Sequence, residues 1–410
     1  MNSELIRNDF PILKTKVGGH QIVYFDNAAT TQRPLPVVNA VLDYTTHENG
    51  NPHRGAHIFA ISASEAYDTS KEVVRDFIHA RSEKEIIYTR NTSESLNLVA
   101  RSYGETHLKA GDHILITIAE HHSNLVTWQR VAKKTGAILD YIYVDKETGH
   151  FPEEELKKID DPKVKLFAFA EVSNVLGIDF DPKPLIARAH AHGAIVVLDG
   201  AQSTPHKPVD VQDLDCDFFA FSGHKMCSMG GIGVLYGKEE LLNDMEPFLM
   251  GGDMIEDVHE QETTYAELPA KFEAGTQYVE GAVSLVAAIR YVQAIGFDEI
   301  RAQEKRLVTR CLEGMKKLPF IHIIGPTNPE EKEGLVAFEV EGVHPHDVAQ
   351  ILSAEGICIR TGHHCAQPLH IYLGINASCR VSFYFYNTEE EVDYFLEKLK
   401  DVRKVMGYDD

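Results

Sequence analysis

The sequence predicts an α/β protein with a large domain, built on a mainly parallel sheet covered by helices on both faces, and a smaller α+β domain. Two observations predict this fold. Short apolar runs of strand length alternate with segments of helix length through the first two thirds of the chain, a pattern typical of a parallel sheet buried on both faces. The last third instead mixes single strands with amphipathic helices.

Five of the apolar runs end abruptly in a cluster of polar residues. In chain order, the runs and the clusters that follow them are residues 85–88 and 89–93, 113–118 and 120–122, 165–170 and 171–174, 194–198 and 199–202, and 218–221 and 222–225. In parallel sheets of this kind, ligands bind beyond the carboxyl ends of the strands. We therefore expect the five polar clusters to converge on one site.

The last third of the chain predicts the elements of the smaller domain. They are a helical stretch from about residue 288 through 315, strands at 321–324, 334–340 and 377–386, a helix at 347–352 and an amphipathic closing helix at 389–402. We predict a large domain over residues 20–287 and a small domain formed by residues 1–19 and 288–410.

The charge balance argues against some classes of partner. The 410 residues include 40 Lys and Arg against 62 Asp and Glu, a formal net charge of −22, whereas nucleic acids and anionic membranes attract clustered basic residues. Residues 1–10 lack the apolar core of a signal peptide, and no apolar run is long enough to cross a bilayer. We therefore expect a cytosolic (cytoplasmic) protein, without a nucleic acid or membrane partner, whose six cysteines are free thiols.

Two residues far apart in the sequence carry reactive groups. Lys225 follows the apolar run 218–221, where burial lowers the pKa of an amine and favours Schiff-base formation; the alternative is an exposed loop lysine. Cys365 follows Gly362 and two histidines, His363 and His364, either of which is expected to favour a nucleophilic thiolate; the alternative is a structural cysteine. Together they suggest a carbonyl cofactor and attack on a polarizable atom.

Polar residues at the strand ends are suited to such a cofactor. Asp199 ends a buried run, where a carboxylate requires a cationic partner such as a protonated pyridine nitrogen; the alternative is a carboxylate that caps the next helix. Gln202 is spaced to reach the oxygen on the same ring. Thr92 and Ser93 open a helix, where hydroxyls and backbone N–H groups bind phosphate, although an ordinary N-cap fits these residues equally well.

Eight segments spread over nearly the whole chain carry a family resemblance. They are residues 26–30, 53–55, 120–122, 173–177, 199–202, 222–225, 272–276 and 360–368. In this order they resemble the cysteine desulfurases of the SUF type, in the class V aminotransferase family of fold-type I pyridoxal-phosphate enzymes. The resemblance implies a seven-stranded sheet in the large domain and pyridoxal 5′-phosphate as the cofactor.

The resemblance also implies roles for individual residues. Lys225 would bind the cofactor covalently, and His121 would stack on its ring and transfer protons; the residues alone do not choose between His121 and His122. The remaining cofactor contacts would be Asp199, Gln202, Thr92, Ser93, Ser222, His224 and, from a second subunit of a homodimer, Thr276. Arg380 would bind the substrate carboxylate, with Arg360 and Asn174 as further substrate contacts; the alternative for Arg360 is a surface charge.

The implied activity is that of an L-cysteine desulfurase, which yields L-alanine and a persulfide on Cys365 for iron–sulfur cluster assembly. Only fifteen positions separate Cys365 from Arg380. That spacing resembles the branch with a compact cysteine loop, whose sulfur is collected by an acceptor protein of the SufE or SufU type. His346 would exchange with a zinc-bound thiolate of the acceptor; the alternative is a histidine that only caps a helix. No metal is expected in the chain itself.

Two kinds of alternative remain at this point. The nearer one is another enzyme of the same fold, such as a selenocysteine lyase or a kynureninase-like hydrolase, the latter having no need of Cys365. The other is a catalytically inactive binding protein, or a metal-binding protein that uses His363, His364 and Cys365. Three contiguous ligands give poor geometry for a metal ion, which weighs against the second alternative.

Overall fold

The computed structural model describes residues 3–408, and their side chains from Leu5 onward. Residues 1, 2, 409 and 410, which the predicted small domain includes, lie outside the described residues. The strands, numbered in chain order, are β1 (Lys16–Val17), β2 (His20–Gln21), β3 (Val23–Tyr24), β4 (Ile86–Thr89), β5 (His113–Thr117), β6 (Ile138–Ile142), β7 (Val164–Ala170), β8 (Ile195–Asp199), β9 (Phe218–Ser222), β10 (Gly233–Gly237), β11 (Ile255–Val258), β12 (Thr263–Tyr265), β13 (Ile321–Ile324), β14 (Leu335–Val340), β15 (Ile357–Cys358), β16 (Arg360–Gly362) and β17 (Ser378–Ser382).

The helices are numbered in the same way. They are α1 (Ser3–Arg7), α2 (Leu35–His47), α3 (Ile58–Ile78), α4 (Thr92–Val99), α5 (Glu105–His107), α6 (Val126–Thr135), α7 (Glu153–Leu156), α8 (Pro182–Ala191), α9 (Val211–Leu214), α10 (Glu239–Asp244), α11 (Val279–Ile295), α12 (Phe297–Met315), α13 (Pro345–Ala354), α14 (Gln367–Leu373) and α15 (Glu389–Val405).

A seven-stranded sheet forms the centre of the large unit and confirms the predicted fold class. Its strand order is β4-β10-β9-β8-β7-β5-β6, and only β10 runs against its neighbours. Alternate residues of β8 enter opposite hydrophobic clusters: Val196 and Leu198 pack with α11, and Val197 packs with α4 and α6. Both faces are therefore buried, which is why the strands are continuous apolar runs.

Two strands of this sheet were not predicted. The edge strand β6 is half-buried over most of its length and includes Asp140, so it lacks a continuous apolar run. The antiparallel strand β10 is fully buried, but it has a glycine at each end, which leaves only the apolar residues from Val234 to Tyr236 between them. Neither segment carries the continuous apolar run by which a buried strand is recognised.

The smaller sheet is antiparallel, with the order β13-β14-β17-β16. It packs against α12, α13 and α15 in a hydrophobic cluster of its own. The predicted helical stretch is two helices that meet at Gly296. The predicted strand 377–386 is too long: β17 ends at Ser382, and the aromatic residues 383–386 leave the sheet. Phe383 lies in the core of the small sheet, and the other three lie in the core of the large sheet. A buried aromatic run has the same pattern whether it forms a strand or not.

The boundaries 20–287 and 288–410 stay a prediction, and segments near the N-terminus pack with both units. Phe10 lies in the core of the large sheet, 4.6 Å between ring centroids from Tyr386. The short strand β3 pairs in parallel with β15, and Phe25 packs edge to face with Phe383 in the core of the small sheet. The chain therefore crosses between the units in this segment as well as after α11.

Among residues 3–408, no single helix is long and apolar enough to cross a membrane. One bent pair, Val279–Ile295 with Phe297–Met315, meets the length and composition criteria together, at an angle of 75°.

The turn after β8 requires a glycine because of a close approach. Gly200 follows Asp199 directly, and a Cβ atom at this position would overlap the ring of Phe219 on the neighbouring strand. Gly200 therefore allows β8 to turn immediately after its terminal carboxylate.

We expect Gly200→Ala to lower the free energy of unfolding by about 1–3 kcal/mol, because overpacking forces side chains and backbone to shift. The measurement is thermal or urea unfolding of the protein without added ligands. Gly230→Ala is the matched control, since Gly230 is exposed and a Cβ there meets nothing within 4 Å; a change within about 0.5 kcal/mol is expected. Equal stability of the two variants would contradict the packing argument.

Candidate active site

A cavity of about 310 Å³ lies at the carboxyl edge of the large sheet, between the two units. The five polar clusters meet there, as the strand directions require. All the predicted site residues except Thr276 and His346 line it: Thr92, Ser93, His121, Asn174, Asp199, Gln202, Ser222, His224, Lys225, Arg360, Cys365 and Arg380. The roles that the resemblance implies for them stay predictions.

Two ionisable groups of opposite charge, Asp199 and Lys225, line this cavity. Asp199 ends β8 and is buried, which raises the pKa of its carboxyl; its Oδ1 accepts the N–H of Ala201 at 2.9 Å. Lys225 follows the neighbouring strand β9, and burial lowers the pKa of its amine to about 8, while the charge of Asp199 opposes that shift. A larger share of Lys225 is consequently neutral near pH 7 than in an ordinary lysine.

His121 and Gln202 flank this pair. Nδ1 of His121 accepts the N–H of Ser123 at 3.1 Å, so the proton of the neutral ring lies on Nε2. Burial lowers the pKa of His121 to about 3, and the nearby Lys225 cation acts in the same direction. Gln202 is buried and donates to the carbonyl oxygen of Ala28 at 2.8 Å, which fixes the orientation of its amide.

Hydroxyls and a helix start form one end of the cavity. Helix α4 is capped by Asn91, whose Oδ1 accepts the N–H of Glu94 at 3.0 Å, so Thr92 and Ser93 are not the N-cap. The N–H of Thr92 donates to the hydroxyl of Ser222 at 2.8 Å, and the two hydroxyls are 2.7 Å apart. His224 lines the same cavity, and burial lowers its pKa to about 4.

Two arginines oppose each other across the strand pair β16–β17, which places like charges face to face. Asp26 contacts both: it lies 2.8 and 3.2 Å from two guanidinium nitrogens of Arg360 and 3.7 Å from Nη2 of Arg380. Arg380 is buried, which lowers its pKa to about 10, and it donates to the carbonyl oxygen of Asn174 at 2.8 Å. Its Nε is buried and has no hydrogen-bond partner among the described residues.

Cys365 lies on the short loop between β16 and α14, and it is exposed. His364 and Cys365 are both in the left-handed region, at φ 49° and 57°, which non-glycine residues adopt where the surrounding contacts impose it. Asn174 donates to the carbonyl oxygen of His364 at 2.6 Å, and the N–H of His122 donates to that of Cys365 at 2.6 Å. The N–H of Gln367 donates to Nε2 of His122 at 3.0 Å.

Of the two histidines expected to favour a thiolate, His364 is the less suited. Burial lowers the pKa of His364 to about 2, so its ring is neutral and brings no positive charge to Cys365. Its Nε2 instead lies 2.9 Å from the hydroxyl of Ser378 on β17, which ties the loop to the small sheet. For His363 the expectation stays a prediction.

The two remaining predicted residues lie outside the cavity. Thr276 is exposed in the single chain. His346 is exposed in the first turn of α13, and its Nδ1 lies 3.2 Å from the hydroxyl of Thr361, four residues before Cys365. Among the side chains that the structure describes, no three of His, Cys, Asp or Glu are grouped so as to hold a metal ion.

Sequence reasoning missed the side chains that hold these groups in place. In the sequence, Asp26 stands out only as part of segment 26–30, although its carboxylate contacts both arginines. His122 stands out only as an alternative to His121. Ser123 and Ser378 were not singled out. Their contacts join segments far apart in the chain, and the only signal in the sequence is that Asp26 and His122 lie inside segments that carry the family resemblance.

Comparison with known proteins assigns the chain to a family. The sequence profile described as "Aminotransferase class-V" matches residues 23–395. A probable cysteine desulfurase of Halalkalibacterium halodurans is 47% identical over 408 residues, covering 100% of both chains. The solved apo structure of a cysteine desulfurase from Thermococcus onnurineus NA1 superposes with a TM-score of 0.92 at 44% identity, covering 98% of each chain. The S-sulfonic acid form of the cysteine desulfurase CsdA from Escherichia coli gives a TM-score of 0.90 at 36% identity, covering 99% of each chain. With a profile match over most of its length and a relative this similar end to end, the chain belongs to the class V aminotransferase family.

Proposed function

We propose that the protein is an L-cysteine desulfurase that uses pyridoxal 5′-phosphate. The observation that carries the proposal is that Lys225 and an exposed thiol, Cys365, line the same cavity. The amine suits a carbonyl cofactor, and the thiol supplies the sulfur nucleophile that a transaminase does not need. The relatives named above as cysteine desulfurases support the same activity.

The residues of the cavity fit this cofactor. Asp199 is a buried carboxylate suited to a protonated pyridine nitrogen, and the partly deprotonated amine of Lys225 is suited to its aldehyde. Thr92, Ser93 and Ser222 place hydroxyls at the start of α4, where an anionic phosphate binds favourably. When bound, pyridoxal phosphate supplies a carbonyl carbon for the substrate amine and an electron sink for the substrate Cα.

The chain's own groups then orient the substrate and move its protons. The guanidinium of Arg380, which lines the cavity, is suited to bind the carboxylate of cysteine. Nζ of Lys225, with its lowered pKa, is suited to take a proton from Cα and to return it. The neutral ring of His121 carries its proton on Nε2 and acts as a donor to an atom in the cavity.

Cys365 performs the step that distinguishes a desulfurase. Its thiolate attacks Sγ of the bound cysteine, so that a sulfur–sulfur bond forms and the Cβ–Sγ bond breaks. The electron pair of the broken bond stays with the three-carbon fragment, which takes up protons and leaves as alanine. The second sulfur remains on Cys365 as a persulfide.

We further propose that the persulfide passes to an acceptor protein of the SufE or SufU type, in a SUF pathway of iron–sulfur cluster assembly. The support is the short, anchored loop, which gives Cys365 little reach of its own. We place the reaction in the cytosol, because all six cysteines are free thiols, and in a homodimer, in which Thr276 completes the neighbour's site. Turnover of selenocysteine relative to cysteine would separate a desulfurase from a selenocysteine lyase.

We expect Cys365→Ser to bind pyridoxal phosphate and cysteine, with the same absorbance spectra as the wild type before and after cysteine is added. It should release alanine and sulfide at least about 100-fold more slowly, because a serine hydroxyl is a poor nucleophile towards sulfur. The measurements are the amounts of alanine and sulfide released in a stopped assay and the absorbance spectra of the same samples. Cys358→Ser is the matched control, since Cys358 is half-buried and outside the cavity. Normal sulfide release from Cys365→Ser would mean that another thiol is the nucleophile.

Mixed dimers test the composite site. We expect Lys225→Ala and Thr276→Ala to be impaired alone, and a mixture of the two to recover activity. One site of each mixed dimer would combine the intact Lys225 of one subunit with the intact Thr276 of the other. The measurement is alanine release after proven subunit exchange. A mixture no more active than its components would argue against a shared site.

His346 is tested with a zinc-bearing acceptor of the SufU type. We expect His346→Ala to keep its basal rate and to lose stimulation by the acceptor, because imidazole is the zinc ligand that would free an acceptor thiolate. His344→Ala is the control: His344 caps α13, and its ring stacks with that of His346 at 5.3 Å. Equal loss in both variants would point to helix capping alone.

A further inference from the structure

His122 contacts the Cys365 loop at two points, at the cysteine itself and just after it. Its backbone N–H donates to the carbonyl oxygen of Cys365, and its side-chain Nε2 accepts the N–H of Gln367, two residues further on. His122 itself does not line the cavity. It therefore binds the backbone that carries the thiol without facing the ligand space.

The contact to Gln367 requires one particular state of the imidazole. Nε2 accepts a hydrogen bond, so the ring is neutral and its proton lies on Nδ1. Burial and the neighbouring His363 lower the pKa of His122, and the ring of His121 lies 6.4 Å away between centroids. Protonation would turn the acceptor into a donor that faces another N–H group.

We propose that His122 is a positioning residue for the sulfur-transfer step: its neutral imidazole holds the left-handed backbone at His364 and Cys365 so that the thiol faces the substrate in the cavity. The inference rests on the proposed desulfurase function. Two consecutive non-glycine residues at positive φ persist only where the surrounding contacts impose that conformation. The His122 side chain supplies a contact to the same loop at Gln367, two residues after Cys365.

The experiment compares three variants of the holoenzyme. His122→Ala removes the acceptor, His122→Gln places an amide oxygen at a reach similar to that of Nε2, and His122→Asn places one nearer the backbone, at the position of Nδ1. All three retain the backbone N–H that binds Cys365. Amide hydrogen exchange over residues 362–370 reports the loop directly, and alanine release from cysteine gives kcat and KM.

We expect His122→Ala and His122→Asn to exchange the amides of this segment about ten-fold faster than wild type, because the Gln367 N–H loses its partner and the segment opens more readily. We expect kcat to fall about ten-fold with KM unchanged, since the substrate contacts remain while the nucleophile is misplaced. His122→Gln should restore both quantities to within about two-fold of wild type.

Unchanged exchange in His122→Ala would overturn the inference, and so would an equal loss of kcat in the Ala and Gln variants. The two proposals fail in different ways. A wild-type protein that releases no alanine from cysteine would overturn the proposed function and the catalytic part of the inference, whereas the exchange measurement would still decide whether His122 holds the loop.

Discussion

The site depends on two ionisable groups of opposite charge, the buried Asp199 and the half-buried Lys225, that follow neighbouring strands. Burial raises the pKa of Asp199 and lowers that of Lys225 to about 8, and the charge of each partly offsets the shift of the other. Burying one without the other would leave a charge uncompensated, which is strongly destabilising. Because β8 and β9 are parallel, Asp199 and Lys225 lie at the same edge of the large sheet. Gly200 lets the chain turn after Asp199 without a steric clash with Phe219.

The sequence predicted the parts of the fold whose burial is complete and regular. The runs that became β4, β5, β7, β8 and β9 were recognisable because helices cover both faces, so nearly every residue in them is apolar. The edge strand β6 and the strand β10, which begins and ends with glycine, were not predicted, and the irregular segment 383–386 was predicted as a strand. The pattern of apolar residues indicates which residues are buried. It does not distinguish a buried strand from an aromatic turn that fills a core.

Only some residues of the site could likewise be predicted from the sequence. Residues that end a strand could be assembled in advance, because the carboxyl ends of parallel strands share an edge. Asp26 could not: its carboxylate reaches Arg360 and Arg380, more than three hundred residues away, only because β3 pairs with β15 and Asp26 bridges to Ser382 at the end of β17. The sequence likewise does not distinguish His122 from His121. In the structure, the turn after β5 places His121 in the cavity and His122 in contact with the Cys365 loop.

The position of the Cys365 thiol is thus a property of the packing between the two units. Asn174 and His122 bind the loop from the large sheet, and Ser378 contacts His364 from the small sheet. A loop of few residues that is fixed from both sides has little freedom to swing outward, because movement would break contacts on one side or the other. Cys365 is nevertheless exposed while it lines the cavity. In the reaction proposed above, the arginines and the cofactor therefore bring the substrate to the thiol, and the sulfur acceptor approaches the thiol from outside.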